Sequence, residues 1–395
     1  MTKRKIAVVI GSRANYASIK SVMRELQKKE NVELQIYAGA STLLDKFGKA
    51  VNLIESEGFE ITAKFFMLVE GETPETMAMS TGLGITKITD ILMNNRPDMV
   101  ITVGDRFETM STTIAAAYLN IHLVHTMGGE VSGTIDESIR HAVTKFAHIH
   151  FPANEGARER IIKLGERPEH VFNVGCPRID EVKNIIDSNR AGNRINEAEF
   201  WTKYKGAQAN FSILKDKFLL VMQHPVTTEF AESRVNMREI LSALNELKMP
   251  TILLWPNSDA GSDEISKEIR TFREKNHPDE WLQIFKNLPM DIFIKLMDDC
   301  ACMIGNSSSQ LREGAIVGVP AVNVGSRQQA REHGKNIIDV PTNHKAIVEA
   351  IKKQLAHGKY EANPLYGDGS AGKKIAAILS EIDLTTVPIQ KQICY

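Results

Sequence analysis

The chain is 395 residues long, 43% apolar and 25% charged, enough for two globular domains that each bury a core. A formal net charge of −1 gives nucleic acid and anionic membrane surfaces nothing to hold, so neither is expected as a partner and any phosphate must be bound by local basic residues. Cys176, Cys300, Cys302 and Cys394 lack C-x-x-C spacing, the first strand run is too short for the apolar core of a signal peptide, and no apolar run reaches membrane length; a cytoplasmic protein with buried thiols, no metal and no cofactor is expected.

Apolar strand runs open the chain at Ile6–Ile10, Val32–Ala38, Met99–Val103 and Ile121–His125. Helical patterns at Ser18–Lys29 and Thr112–Tyr118 alternate with them, which predicts a parallel sheet covered by helices on both faces. A polar stretch, Lys183–Gly206, reads as a helix plus linker. A second series follows at Phe218–Met222, Thr251–Trp255, Ala301–Ile304 and Ala321–Val324. The expected fold class is therefore α/β, with two Rossmann-like domains, residues 1–185 and 210–370, facing a cleft. Residues 371–395, with a helical pattern at Lys373–Ile382, are expected to pack at the domain junction.

The turn after the first strand, Gly11-Ser12-Arg13-Ala14-Asn15-Tyr16, lacks the G-x-G-x-x-G spacing of a nicotinamide fold, which argues against a dehydrogenase. Its Arg13 offers a bidentate fork for phosphate, or for a surface carboxylate. Gly104-Asp105-Arg106 sets an acid beside a base at a strand end, either as functional groups or as a helix cap with a solvated arginine. After the next strand, Gly128-Gly129 allows a tight turn that directs Glu130 toward the cleft, where burial suits a carboxyl to acid/base work.

Thr134 and Glu137 have capping-box spacing, and Asp136 and Arg140 are spaced for an ion pair on a helix face. His141 lies one turn beyond Glu137, so the two share a face. His122, His125, His141, His148 and His150 offer no quartet with metal-ligand spacing; His148 and His150 read as lining a strand.

In the second half, His224 follows a buried strand and is fixed by Pro225, and a second polar turn contains Asn257. Gly305-Asn306-Ser307-Ser308-Ser309 joins an apolar run to a helical pattern, placing backbone N–H groups and hydroxyls where a diphosphate would bind, or supplying an ordinary serine cap. Arg327 follows another strand and suits a second phosphate.

Together Gly104-Asp105-Arg106, the run Gly128–His141, His224-Pro225-Val226-Thr227 and Gly305–Glu313 resemble the UDP-N-acetylglucosamine 2-epimerase family, in particular its hydrolysing, nonulosonic-acid branch, over roughly residues 4–355. The resemblance implies a glycosyltransferase-B type fold with the nucleotide diphosphate on the second domain and the sugar on the first. It makes Asp105, Glu130 and Glu137 the candidate acid/base groups, and sets His224 by the diphosphate and sugar. Ser307 and Ser308 would bind the diphosphate and Glu313 the ribose, while Arg13, Arg106 and Arg327 would meet phosphate charge and His141 and Asn257 the substrate.

The implied reaction is hydrolysing 2-epimerisation of UDP-N-acetylglucosamine to UDP and N-acetylmannosamine for sialic acid-type synthesis, without metal or nicotinamide, by a homodimer or homotetramer. The open alternatives are a UDP- or GDP-linked 2,4-diacetamido-2,4,6-trideoxy sugar as substrate, the non-hydrolysing branch, a glycosyltransferase on the same fold, and a nucleotide-sugar sensor. Asn15 stands where hydrolysing members usually carry an acid.

Overall fold

Strands that are apolar on both faces need helices above and below, because a parallel sheet leaves neither face to water. The computed structural model describes residues 3–71, 73–131, 135–205, 210–226, 232–256, 262–286 and 288–394. The chain opens with β1 (Arg4–Ile10), α1 (Arg13–Gln27), β2 (Val32–Gly39), α2 (Ala50–Ser56), β3 (Ala63–Phe65) and α3 (Pro74–Asn95). It continues with β4 (Met99–Val103), α4 (Phe107–Tyr118), β5 (His122–Thr126), α5 (Ile135–Phe146), β6 (Ile149–Phe151), α6 (Glu155–Lys163) and α7 (Pro177–Arg190). Next come α8 (Glu197–Lys205), β7 (Leu219–Met222), α9 (Ser233–Leu247), β8 (Thr251–Leu254), α10 (Ser262–Asn276), β9 (Leu282–Phe285), α11 (Met290–Asp299) and β10 (Cys302–Gly305). The last elements are α12 (Ser308–Leu311), α13 (Glu313–Val317), β11 (Ala321–Val324), β12 (Ile337–Val340), α14 (His344–His357) and α15 (Ala371–Glu381).

The chain divides into two units, residues 1–181 with 367–395, and residues 182–366. Each holds one wholly parallel sheet, in the orders β3-β2-β1-β4-β5-β6 and β12-β11-β10-β7-β8-β9. The two orders are the same doubly wound topology, so the expected α/β class with two Rossmann-like units is borne out.

Strand alternation builds each core. In the first unit Ile6, Val8 and Ile10 face α1 and α15, packing with Ile19, Met23, Ile375 and Leu379. Ala7 and Val9 face the other way, in the cluster that holds Ile88 and Leu92 of α3 and Ala115 and Ala116 of α4. In the second unit Leu219 and Val221 pack with α9 and α14, while Leu220 joins Trp201, Phe285 and Leu296 on the opposite face.

The return of the chain to the first unit is fixed by Asp180, which accepts from the backbone N–H of Ala371 (3.0 Å) and Gly372 (2.6 Å) and so satisfies the start of α15. Among the described residues no helix is long and apolar enough to cross a membrane.

Candidate active site

Both sheets reverse strand order once, at β1/β4 and at β7/β10, and in such sheets the carboxyl ends at the reversal open onto the ligand crevice. In the first unit the turn after β1 is set by Asn15. Its Oδ1 accepts from Gly11 N (3.2 Å) and its Nδ2 donates to Val103 O at the end of β4 (3.3 Å). An acid here would keep the first bond and have no proton for the second, which is a physical reason for Asn15.

Gly11 is required by a close approach: a Cβ there would lie 2.3 Å from Cγ of Glu108. Glu108 is buried at the start of α4, and burial raises its carboxyl above the ordinary range. One of its oxygens takes the Arg106 Nε–H at 3.2 Å, and the other has no hydrogen-bond partner among the described residues.

Asp105, about a quarter exposed, is ion-paired with Arg140 of α5, whose guanidinium is buried and also donates to Glu130 O at 2.7 Å. One arginine thus joins the two carboxylate-bearing turns, after β4 and after β5. The expected Asp136–Arg140 helix-face pair gives way to this contact, because Arg140 points into the unit rather than along its own helix. Glu130 is buried. On the adjoining face of α5, Glu137 Oε1 lies 3.6 Å from His141 Nε2, and His141 Nδ1 is buried without a hydrogen-bond partner among the described residues.

His125 backs the cluster. Its Nε2–H donates to Gly104 O (2.8 Å), and full burial pushes its pKa down to about 3, so the ring is neutral. Arg13 is exposed in the first turn of α1, whose cap is Ser12, and Arg106 is half exposed beside Glu108.

The second unit closes its reversal with another asparagine. Asn306 Oδ1 accepts from His224 N and its Nδ2 donates to His224 O, both at 2.8 Å, tying the β10 turn to the end of β7. Gly305 is left-handed (φ 128°), and a Cβ would lie 2.2 Å from Met222 O. Asn306 O accepts from Arg327 Nη1 (3.1 Å) and Gln328 Nε2 (2.9 Å), which brings the predicted arginine onto the serine turn.

Ser307 caps α12: its Oγ accepts from Ser309 N (3.3 Å) and lies 2.8 Å from Ser309 Oγ. Gln310 donates to Gly305 O (2.8 Å) and Asn323 Oδ1 (3.1 Å), fixing the turn from behind. The helix expected after this turn is a single turn, Ser308–Leu311, broken at Arg312 before α13 begins with buried Glu313. An anion at this turn would therefore meet local N–H groups, hydroxyls and Arg327, with little contribution from a long helix dipole.

The structure thus brings Asp105 and Glu130 together through Arg140, pairs Glu137 with His141, and gathers His224, Ser307 and Arg327 around Asn306. Asn257 and Thr134, and with it the capping box, lie outside the described residues. Glu108, His125, Arg140, Asn306 and Gln310 were not singled out as site residues from sequence. Their one shared signal is position, within five residues of a strand's carboxyl end or on the helix that follows. Among the described residues no three His, Cys, Asp or Glu side chains form a metal-binding group.

The fold and site define a two-unit Rossmann-type protein of the glycosyltransferase-B class. UDP-N-acetylglucosamine 2-epimerase from Neisseria meningitidis, solved with bound UDP-GlcNAc, has the same fold, with a TM-score of 0.76 at 16% identity over 95% of this chain and 99% of that one. The UDP-N-acetylglucosamine 2-epimerase family profile matches residues 24–380. A UDP-N,N'-diacetylbacillosamine 2-epimerase (hydrolyzing) from Legionella pneumophila is 33% identical over 390 residues, covering 99% of this chain and 98% of that protein. A GDP/UDP-N,N'-diacetylbacillosamine 2-epimerase (hydrolyzing) from Campylobacter jejuni is 32% identical over 87% of this chain and 86% of its own length. The chain belongs to the UDP-N-acetylglucosamine 2-epimerase family, and the family resemblance of its sequence motifs is borne out.

Proposed function

We propose that this enzyme is a hydrolysing 2-epimerase, converting a UDP-activated 2-acetamido sugar and water into UDP and the free 2-epimeric sugar. The observation that carries the reading is the Asp105–Arg140–Glu130 assembly, where one buried guanidinium organises two carboxylate-bearing turns at the sheet reversal. Inversion at C2 requires loss of a weakly acidic C2 proton while the C1–O bond to the nucleotide breaks. A carboxylate takes that proton, the electron pair forms the C1–C2 double bond, and UDP leaves as the anion. Water then adds its hydroxyl to C1, and a proton returns to C2 on the opposite face.

Asp105, Glu130 and Glu137 are assigned the proton transfers, with His141 binding the sugar. Ser307, Ser308, His224 and Arg327 are assigned the diphosphate, with Arg13 and Arg106 adding positive charge, Asn257 a substrate contact and Glu313 the ribose. The hydrolysing outcome is supported by the names of the two relatives at 33% and 32% identity. Those names also favour a 2,4-diacetamido-2,4,6-trideoxy sugar as substrate. UDP-N-acetylglucosamine is the second reading, favoured by a Neisseria meningitidis UDP-N-acetylglucosamine 2-epimerase at 28% identity over 98% of this chain.

Incubation with each UDP-sugar, followed by chromatography and NMR of the products, tests the reading. Free 2-epimer with stoichiometric UDP is expected from one of them. Intact epimerised UDP-sugar would move the enzyme to the non-hydrolysing branch, and turnover only with an added sugar acceptor would make it a glycosyltransferase. Binding of UDP with no turnover of any sugar nucleotide would leave a sensor.

A further inference from the structure

Residues 387–394 follow α15 as an irregular segment held to the first unit at several points. His122 Nε2 donates to Val387 O (2.8 Å), His148 Nε2 donates to Ile389 O (3.0 Å), and Cys394 N donates to Gly165 O (2.9 Å). Between these anchors the side chain of Lys391 is turned inward, about one-fifth exposed. Its ammonium lies 3.3 Å from Thr144 O, 2.9 Å from Lys145 O and against Ala147 O, and makes an ion pair with Glu166 Oε2 at 2.5 Å.

The first two carbonyls belong to the last turn of α5 and the third follows directly after it, where a helix has no partners of its own for its last C=O groups. An ammonium with three donors placed there satisfies them and opposes the negative end of the dipole. The remaining groups around it are fixed as well: Glu166 also takes Lys145 Nζ (2.7 Å) and sits 3.3 Å from His150.

What α5 carries makes this contact more than local. About one turn before Lys145 on the same helix are Arg140 and His141, with Glu137 a further turn back, and the Thr144 hydroxyl donates to Arg140 O at 3.0 Å. The same hydroxyl is 3.4 Å from His125 Nδ1, and the other nitrogen of that ring holds Gly104 O beside Asp105. A continuous run of contacts therefore leads from Lys391 through the last turn of α5 to the Asp105–Arg140 pair.

We propose that Lys391 is a positioning residue for the acid/base set, locking the carboxyl end of α5 so that Arg140 holds Asp105 and the Glu130 turn in register. The proposal rests on the functional reading above. Nothing in it requires Lys391 to meet substrate, so its loss is expected in turnover and not in nucleotide binding.

The test uses the full chain and Lys391→Met, with Lys391→Arg as the conservative comparison. The substrate is whichever UDP-sugar the parent enzyme hydrolyses. In Lys391→Met, kcat is expected to fall about tenfold or more, as small misplacements of reacting groups do, while KM and the Kd for UDP stay within about twofold. Amide hydrogen exchange at the last turn of α5 is expected to speed up, and Lys391→Arg to restore most of both.

A folded Lys391→Met with parental kcat overturns the proposal, and so does one with unchanged exchange in α5. Equal loss of turnover and UDP affinity also overturns it, by pointing to general destabilisation. If Lys391→Met does not fold, Lys391→Gln, which keeps a donor for the carbonyls and drops the charge, takes the same measurements. If the parent hydrolyses no sugar nucleotide, the functional reading fails by itself, and unchanged exchange in α5 would still overturn the locking role.

Discussion

At the β1/β4 reversal of the first unit, Asn15 ties the two strand ends together, and behind it stand groups that carry or exchange protons: Glu108, Asp105, Glu130, Arg140 and His125. At the β7/β10 reversal of the second unit, Asn306 makes the equivalent tie, but its surroundings are mainly hydroxyls and amides, Ser307, Ser309, Gln310, Gln328 and Asn323, with Arg327 as the cation. The same topology thus frames two chemistries. Fixed N–H and hydroxyl donors with an arginine suit a diphosphate, whose oxygens go on accepting hydrogen bonds as it departs, whereas carboxylates held by a buried arginine suit a proton that must move.

The strongest way to break this contrast is to remove proton transfer from the first unit alone. Glu130→Gln and Asp105→Asn are expected to lower kcat by about 10²- to 10⁴-fold, the usual worth of a general acid or base, with the Kd for UDP near parental. Steady-state kinetics with calorimetric UDP titration checks this. Loss of UDP affinity with retained turnover would put both functions in one unit and dissolve the comparison.

The converse change is smaller. Arg327→Ala removes a charged donor worth about 1.5–3 kcal/mol, so the Kd for UDP is expected to rise roughly tenfold or more while kcat stays within about twofold. Equal losses in both parameters would show that the arginine acts on the transition state as much as on the bound nucleotide.

The two asparagines allow a matched pair of stability measurements. Asn15→Asp and Asn306→Asp each keep an acceptor and lose the donor to a strand-end carbonyl, at an expected cost of about 1–3 kcal/mol, more at fully buried Asn306. Trp201, Trp255 and Trp281 all lie in the second unit, so tryptophan fluorescence during urea unfolding follows that unit while circular dichroism follows both. Asn306→Asp is expected to move the fluorescence midpoint, and Asn15→Asp only the dichroism. A fluorescence shift with Asn15→Asp would mean that the units unfold as one.

How far the sequence showed this contrast depends on how local each cause is. Central strands such as β1, β4, β7 and β10 are buried on both faces, so their apolar runs stood out without tertiary knowledge. The edge strands β3, β9 and β12 are only three or four residues long and mix Lys64, Gln283 and Asp339 with apolar neighbours, and nothing in that pattern distinguishes them from loop. The second-unit turn was legible because Gly305 and its serines are contiguous. The role of Arg140 was not, because spacing offered Asp136 as a partner and only the packing of α5 against the unit directs the guanidinium to Asp105. Glu108 was passed over for the same reason: its burial comes from Gly11, 97 residues earlier in the chain.

The smallest effect sharpens the comparison through pH. Burial holds the imidazoles of His125 and His148 down to about 3 and about 4, while an unfolded chain takes up these protons near 6.5. Groups depressed in this way stabilise the first unit fully above pH 6.5, and that stability is lost as pH falls toward the folded values, because the unfolded state binds the extra protons. Between pH 7 and pH 6 the two rings are expected to remove about 1 kcal/mol from the first unit. Glu108 opposes them: its raised carboxyl binds a proton in the folded unit first, so acidification through its window favours folding. In the second unit Glu268, bonded by Arg238 and Arg234, and Asp298, which Arg190 and Lys359 hold down against its burial, titrate below the ordinary carboxylate range and outside this interval. On moving from pH 7 to pH 6 the dichroism midpoint in urea is therefore expected to fall while the tryptophan midpoint stays. A tryptophan midpoint that falls in step would place the proton-sensitive stability in both units and remove the asymmetry.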